Sequence, residues 1–199
     1  MTIERPTPLI VAEKAHQFDV QDEDYDAAVR LVFERWPLNT VRAEILVKVV
    51  VLNRLYSTNI YDVAAVASRI RELDFDGRVK EADKSLVNEL AEIRFRDRTR
   101  RCPSFASKYC AWHNPDAFPI YDGFVEDRLW AHQTAEPFCD FKRDRLSDYT
   151  KFCEALERFR NRFGLTACSL REIDKFLWIE GEEESARKKD AAGRAQQIK

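Results

Sequence analysis

A lysine and an aspartate stand on either side of a short, proline-bounded segment in the middle of the chain. Lys108 follows Pro103 closely, and Asp122 comes just after Pro115 and Pro119. A lysine that is partly withdrawn from water loses its proton more easily and becomes a nucleophile toward an electrophilic carbon. A carboxylate beside it can accept a proton or stabilise developing positive charge. The pair predicts such chemistry if both side chains face one cleft, whereas isolated residues of these types are ordinary surface charges or an exposed ion pair.

A run of arginines precedes this pair. Five arginines fall within eight residues of a chain whose formal net charge is -2. Because a guanidinium pairs with phosphate through a rigid fork, the run predicts a local surface that contacts a nucleic-acid backbone. The alternative is a solvated helix end, where cations complement the helix dipole. The arginines are Arg94, Arg96, Arg98, Arg100 and Arg101.

Other polar groups point to simpler roles. The 5 cysteines are irregularly spaced without a Cys-x-x-Cys pair, so we expect reduced thiols, no metal and no cofactor. Arg171, Asp174 and Trp178 share one helical face, which predicts an intrahelical ion pair beside an aromatic anchor. The chain has no long uncharged apolar stretch and no signal-peptide core at its start. We therefore expect a cytoplasmic protein that does not enter a membrane.

The elements that position these residues are predicted to be helices. Only 5 glycines occur among 199 residues, and no proline lies between Leu38 and Cys102. Scarce glycine argues against an all-β fold, and the proline-free stretch has room for several long helices. Apolar residues recur at helical spacing over residues 41–55, 63–73, 79–93, 149–163 and 173–177.

Capping residues mark several predicted helix ends. Asn59 or Asp62 is available to cap the helix that begins near residue 63, and Ser147 to cap the one near residue 149. Gly164 stands where the latter helix should stop. A capping box, Ser-x-x-Glu, opens the last helix at Ser169.

Together these signals predict an all-α protein, a single compact multi-helix domain with no sheet of note. We expect an irregular N-terminal arm over residues 1–20, which contain two prolines, and a helical domain over 21–180. The charged tail over residues 181–199 is expected to fray or to extend the last helix into solvent.

The middle of the chain resembles the helix-hairpin-helix DNA glycosylase superfamily, the group of endonuclease III and 8-oxoguanine glycosylase. In that family a hairpin of the form Pro-Gly-hydrophobic-Gly-x-Lys is followed by hydrophobic-hydrophobic-Asp-x-x-Val. The corresponding segments here are Pro103-Ser-Phe-Ala-Ser-Lys108 and Ile120-Tyr-Asp-Gly-Phe-Val125. Residues 51–63 look like the family's helix-turn-helix segment with pocket and strand-wedging residues, so the resemblance covers about residues 51–130.

The resemblance implies the fold of that superfamily and base-excision chemistry on DNA. A base would be flipped into a helical cleft. Lys108 matches the catalytic lysine, which attacks the anomeric carbon of the sugar, and Asp122 matches the aspartate that stabilises the oxocarbenium-like charge. A Schiff base would follow, and elimination could then nick the strand.

The same resemblance suggests residues that would hold the base. Aromatic side chains could stack on it, and asparagines could hydrogen-bond its edge. For the aromatic residues the alternative is core packing, and for Asn59 it is a helix cap. The expected substrate-binding residues are Asn53, Tyr56, Asn59, Tyr109 and Trp112.

This sequence departs from the family pattern in the hairpin. Ser104 and Ala106 replace the two glycines that let the backbone approach phosphate closely, and they take the corresponding backbone-contacting positions. The interval between Lys108 and Asp122 is shorter than in typical members. Cysteine spacing does not match the iron–sulfur loop of some relatives, so we expect no cluster. Asp122 has a second candidate role as the cap of a helix that starts at Phe124.

Three functions remain open at this point. The resemblance implies a DNA base-excision glycosylase with abasic-site lyase activity and DNA as its partner. The alternatives are a non-catalytic nucleic-acid-binding module of the same fold and a helical interaction protein. Geometry discriminates between them, because an enzyme needs Lys108 and Asp122 within about 8 Å of each other and facing one cleft.

Overall fold

Helices make up most of the computed structural model, which describes residues 3–21, 23–95 and 98–197. Within these residues the β-structure is one two-stranded antiparallel hairpin, so the predicted all-α class is confirmed. The helices are α1 (Pro8–Gln21), α2 (Glu23–Arg35), α3 (Arg42–Leu55), α4 (Val63–Glu72), α5 (Phe75–Lys80), α6 (Ser85–Ala91), α7 (Pro103–His113), α8 (Gly123–Ala135), α9 (Tyr149–Arg162) and α10 (Leu170–Gln197). A 3₁₀ helix covers Arg143–Ser147, and the hairpin consists of β1 (Glu92–Phe95) and β2 (Arg98–Arg101).

Three predicted helix ends are confirmed by their hydrogen bonds or backbone angles. Asp62 caps α4, because its Oδ1 accepts the N–H of Ala65 at 2.9 Å. Ser169 and Glu172 form the capping box ahead of α10, each side chain bonding the other's backbone N–H. Gly164 follows α9 with a φ of 67°, a conformation in which glycine avoids steric strain.

Two local predictions are wrong. Ser147 does not cap α9; it ends the 3₁₀ helix, and Asp148 accepts the N–H of Thr150 at 2.9 Å instead. The apolar stripe over residues 79–93 is not one helix but the end of α5, then α6 and β1. Asp83 interrupts it, since its carboxylate accepts the backbone N–H and the hydroxyl of Ser85 and so offers the chain a turn.

The predicted irregular arm over residues 1–20 is also wrong for most of its length, because α1 begins at Pro8. Proline is well tolerated at the first helical position, where its missing N–H would have no partner. Val11, Ala15 and Phe18 recur at helical spacing and are buried where α1 packs along α10. One of the two main packing partners of α10 therefore comes from the N-terminal segment.

The other main partner of α10 is α8, and the two helices are in close contact at Gly181. A Cβ built on Gly181 would lie 2.5 Å from the Cβ of Phe124 and 3.0 Å from its Cα. The boundary expected between residues 180 and 181 thus falls inside α10. Among the helices of the described ranges, none is both long and apolar enough to cross a bilayer.

Gly181→Ala is expected to lower the free energy of unfolding by roughly 2 kcal/mol, because the added methyl group meets the α8 backbone. Helix propensity alone would give the opposite sign, since alanine is the better helix former by about 1 kcal/mol. Gly123→Ala is the control: a Cβ there meets nothing within 4 Å. Urea denaturation of both variants separates the two effects, and equal stability of Gly181→Ala and wild type would contradict the close contact.

A buried polar cluster joins the α2–α3 connection to α5 and α7. Lys48 is 0% exposed, and its Nζ donates to the Asn39 side-chain oxygen at 2.8 Å and to two main-chain carbonyls. The same oxygen accepts the Tyr109 hydroxyl at 2.5 Å, while the Asn39 amide donates to Asp76 at 2.7 Å. Burial lowers the pKa of Lys48 to about 8 although Asp76 acts in the opposite direction. Asn39 therefore connects three helices at once.

Candidate functional site

Lys108 and Asp122 form an ion pair between α7 and α8. The Lys108 Nζ donates to the Asp122 Oδ2 at 2.7 Å and to the Ser104 hydroxyl, one helical turn earlier, at 2.8 Å. The Lys108 side chain is 6% exposed and that of Asp122 is 22% exposed. The two groups thus lie well within the distance of about 8 Å that shared work on one reacting carbon requires.

Asp122 caps α8 and pairs with Lys108 at the same time. Its Oδ1 accepts the N–H of Phe124 at 3.2 Å and caps α8, while its Oδ2 faces Lys108. The segment between α7 and α8 is attached to α7 just before Asp122, because Tyr121 donates its N–H to the Ser107 hydroxyl at 3.0 Å. This bond keeps the start of α8 next to α7. The helix cap fixes the carboxylate, and the carboxylate fixes the lysine.

Both side chains line one cavity of about 290 Å³, which we call the site cavity. This volume is close to the lower limit of the range of small-molecule sites, roughly 300–1,000 Å³. Its walls come from α1, α2, α3, α7, α8 and α10. Aromatic and apolar lining residues include Phe18, Tyr25, Tyr56, Val125 and Trp178.

Tyr56 is the expected base-stacking residue that lies at the site cavity. Its ring centroid is 6.0 Å from the Lys108 Nζ, and its hydroxyl donates to Asp26 on α2. The ring therefore stands between the ion pair and the N-terminal helices.

Residues of α10 form another wall of the site cavity, a placement that local sequence patterns do not predict. Arg171 and Asp174 make the expected intrahelical ion pair, at 2.7 Å, and Trp178 follows one turn later. Asp174 is 2% exposed and also accepts the N–H of Ile120 at 2.8 Å. Burial raises the pKa of Asp174, although Arg171 acts against the shift. A second buried carboxylate thus lines the same cavity as Lys108.

Two expected aromatic residues lie elsewhere. Tyr109 is 0% exposed and bonds Asn39 in the core, so its predicted role in stacking on a base is wrong. It is on the same helix as Lys108 but faces the interior. Trp112 packs against Phe33 and Tyr56 and lines a neighbouring cavity rather than the one that contains Lys108.

The two expected asparagines serve the α3–α4 connection. Asn53 accepts the N–H of Ile60 at 2.8 Å and donates to its carbonyl at 2.9 Å, so its side-chain groups are used in closing the loop. Asn59 adopts a φ of 58°, and its carbonyl accepts Arg100 at 3.0 Å. Neither residue lines the site cavity, and the side chain of Asn53 is already used within the loop.

The hairpin that the resemblance implies is an ordinary helix start. Ala106 is 0% exposed, and its N–H donates to the carbonyl of Cys102 at 3.1 Å, so its predicted contact with a nucleic-acid backbone is wrong. Pro103 opens α7 directly, because serine and alanine remain helical where glycine would let the chain turn. Ser104 turns its hydroxyl to Lys108.

The arginine run forms the β-hairpin, so the alternative of a solvated helix end is wrong. Arg94, Arg98, Arg100 and Arg101 are exposed on its strands, whereas Arg96 lies outside the described residues. The guanidinium of Arg100 lies over the ring of Tyr61, 5.3 Å from its centroid. Since Arg100 also bonds Asn59, the hairpin contacts the connection that begins with Tyr56 at the site cavity.

Arg101 is used within the protein. Its guanidinium donates to the Asn88 side chain at 2.8 Å and to the carbonyl of Ser147 at 2.7 Å, which fixes β2 to α6 and the 3₁₀ helix. Over the described ranges, no group of three or more metal-ligating side chains is close enough to hold an ion. All five cysteines are free, and four of them are buried.

The fold and the site thus define an all-helical protein with a lysine–aspartate pair in the wall of a cavity of about 290 Å³. Residues 10–117 match the family model HI_0787_N, an N-terminal domain. Because that match covers more than half of the chain, the protein belongs to this family. The matched segment includes Lys108 on α7 and ends before Asp122.

Two further comparisons complete this finding. An uncharacterized protein of Haemophilus influenzae is 43% identical over 132 residues, which are 66% of this chain. The matched part spans 63% of the length of that relative. No solved structure matches the chain.

Proposed function

We propose that this protein is a DNA base-excision glycosylase with abasic-site lyase activity. The observation that supports this function most directly is the pairing of Lys108 and Asp122, with 2.7 Å between Nζ and Oδ2, at the wall of the site cavity. An amine that is nearly buried beside a carboxylate is suited to attack a sugar carbon, because the carboxylate can take up the proton that the amine must lose.

In the proposed reaction the target base leaves the stack and enters the site cavity. Lys108 transfers a proton to Asp122, and its amino nitrogen forms a bond to the anomeric carbon while the bond from that carbon to the base breaks. The departing base takes up the proton from Asp122. In the amine adduct the bond from the anomeric carbon to the ring oxygen then breaks, the ring oxygen takes up a proton from the nitrogen, and a protonated Schiff base forms. Asp122, a carboxylate again, removes a proton from C2′, and the electron pair of that bond expels the 3′ phosphate and cuts the strand.

Neighbouring side chains support this assignment. The Ser104 hydroxyl, 2.8 Å from the Lys108 Nζ, holds the amine in place. Tyr25, Tyr56 and Trp178 provide aromatic surfaces on which a flipped base can stack, an interaction worth about 1–3 kcal/mol per base. The exposed hairpin arginines lie next to the α3–α4 connection, where they can contact backbone phosphates. The free cysteines fit a cytoplasmic setting.

A non-catalytic nucleic-acid-binding protein is the second candidate. Asp122 caps α8 and pairs with Lys108, and these two interactions stabilise the fold without any reaction. The two candidates differ in whether the Lys108 amine bonds covalently to a sugar.

Borohydride trapping separates these candidates. The protein is incubated with DNA duplexes that carry abasic sites or damaged bases, and sodium borohydride reduces any Schiff base to a stable amine. We expect a covalent protein–DNA adduct whose peptide map places the DNA on Lys108. Tight binding to the same duplexes with no adduct would instead identify a binding module.

Asp122→Asn is expected to lower turnover at least about 10²-fold, because an amide cannot accept the lysine proton. The free energy of unfolding should fall by roughly 1–3 kcal/mol, because asparagine caps a helix as well as aspartate does but the nearly buried Lys108 ammonium loses its charged partner. Asp122→Ala is the matched comparison and should lose the cap as well. Turnover and urea denaturation are measured on both variants, and an unfolded Asp122→Asn protein would show that the carboxylate is mainly structural.

Arg98→Gln is expected to weaken DNA binding uniformly across sequences and to reduce the slope of log affinity against log salt by about 1. Arg98 is exposed on the hairpin and forms no ion pair with the described residues. Arg158→Gln is the control. Arg158 lies on α9 rather than on the hairpin, and its guanidinium already pairs with Asp140 and Glu154. Fluorescence anisotropy over a salt series measures the affinity and the slope for both variants and the wild type. A slope for Arg98→Gln identical to that of the wild type would exclude the hairpin as a phosphate contact.

A further inference from the structure

A second cavity of about 430 Å³ adjoins the site cavity. Ile120 and Arg171 line both cavities. A hydrogen bond also joins their walls: Tyr56 lines the site cavity, and its hydroxyl donates to Asp26, which lines the second cavity. A ligand group in the second cavity would therefore be a direct neighbour of one held at Lys108.

Three cations line the second cavity. Arg171 and Lys175 are one turn apart on α10, with side chains 19% and 14% exposed, and Arg30 comes from α2. Both α10 cations are packed against the ring of Phe18, 5.5 Å and 5.6 Å from its centroid. They are therefore held in place on an apolar support rather than free in solvent.

These cations keep donors that a ligand can use. Arg171 pairs with Asp174 and Lys175 with Asp19, and neither carboxylate lines the second cavity. A guanidinium has five N–H donors and an ammonium three, so one carboxylate partner leaves several of them for another acceptor. Arg30 forms no ion pair with any residue of the described ranges.

The other titratable groups that line the second cavity are two carboxylates and a histidine. Asp26 accepts the Tyr56 hydroxyl, and Glu34 is exposed on α2. His113 is neutral, because burial and then the charge of Lys48 lower its pKa to about 3. Asp174 and Asp19 balance the charges of Arg171 and Lys175 from outside this cavity, so the preference for an anionic ligand comes from Arg30 and from the N–H donors that the two α10 cations keep. Arginine forks suit phosphate oxygens.

We infer that the second cavity binds a backbone phosphate of the nucleotide whose sugar lies at Lys108. This inference rests on the proposed function, and it adds a phosphate site built from α2 and α10 that is separate from the arginine hairpin. Arg171, in both walls, would link recognition of the phosphate to the position of the sugar.

The test uses a single-stranded oligonucleotide with a stable tetrahydrofuran analogue of an abasic site. Each phosphate beside the analogue is replaced in turn by an uncharged methylphosphonate. For the wild-type protein we expect one replacement to weaken binding roughly tenfold, the value of one lost charge-assisted hydrogen bond. The same replacement should have no effect on Lys175→Gln, which has already lost the contact.

Two further variants keep this result interpretable. Arg30→Gln changes an exposed cation on the same cavity and should show the same loss of sensitivity even if Lys175→Gln folds poorly. Lys14→Gln is the control, since Lys14 is comparably buried, at 18% exposed, pairs with Glu183 and lines neither cavity. Equal sensitivity of wild type, Lys175→Gln and Arg30→Gln to every methylphosphonate would overturn the phosphate site.

A measurement without DNA separates this inference from the proposed function. Inorganic phosphate should raise the melting temperature of the wild type and of Lys108→Ala more than an equal ionic strength of chloride, but not that of Lys175→Gln. If borohydride trapping fails while this dependence on Lys175 holds, the phosphate site stands and the glycosylase assignment falls. If trapping succeeds and phosphate stabilises Lys175→Gln equally, the phosphate site is wrong.

Discussion

Replacing Lys108 with alanine should abolish the borohydride adduct and lower turnover on damaged duplexes at least about 10³-fold. The substitution removes the amine that forms the bond to the sugar, and no other lysine lines the described walls of the site cavity. Lys108→Arg should be as inactive, because a guanidinium keeps the charge but remains protonated and is not a nucleophile. Gel analysis of the trapped complex and single-turnover kinetics measure the two effects.

Lys84→Ala is the matched control for this result. Lys84 is also partly buried, and its Nζ donates to the carbonyl of Ala117, but it does not line the site cavity. Its removal should leave the adduct intact. If Lys108→Ala still forms the adduct, or Lys84→Ala loses it while remaining folded, then Lys108 is not the nucleophile and its pairing with Asp122 is purely structural.

Asn39→Ala should lower the free energy of unfolding by roughly 3–5 kcal/mol, the largest effect on stability that we expect from one substitution. Asn39 is 6% exposed, and its side chain bonds Lys48, Asp76 and Tyr109. Alanine would leave a buried ammonium with one acceptor fewer and a buried hydroxyl without its partner, and each loss carries a desolvation penalty. Urea denaturation followed by circular dichroism gives the difference.

The control for this prediction is Asn161→Ala. Asn161 is exposed near the end of α9, so its replacement should change stability by no more than about 0.5 kcal/mol. A similarly small effect for Asn39→Ala would mean that water or a shifted side chain satisfies Lys48, and that the cluster does not join α5 and α7 to the α2–α3 connection.

Local signals predicted many of the helices, and where they failed a competing local or long-range contact explains the failure. Helix caps act on backbone groups within four residues, so the neighbouring residues in the sequence are enough to predict them. This is the case for Asp62, Gly164 and the capping box at Ser169. The stripe over residues 79–93 has helical spacing throughout, but the turn at Asp83 divides it. Periodicity identifies an apolar face and does not show whether the face is continuous.

The candidate site was predictable only in part. Lys108, Asp122 and Tyr56 carry the resemblance and lie together, while Tyr109, from the same segment, faces the core. Helical rotation decides this difference, since adjacent residues on a helix point about 100° apart. Asn53 looked suited to base recognition but closes a loop, because its amide satisfies both backbone groups of Ile60.

The amino-acid sequence by itself determined the helical class of this protein, several of its caps and the presence of a lysine and an aspartate around a proline-bounded segment. Only the tertiary structure decided that α1 and α10, from opposite ends of the chain, close the cavity around that pair. The reason is physical: caps and periodicity act over one or two helical turns, whereas the burial of Phe18 against Trp178, 160 residues away, depends on how whole helices pack. Arg171 and Asp174 acquire their place in the wall of the cavity that Lys108 lines from that packing alone.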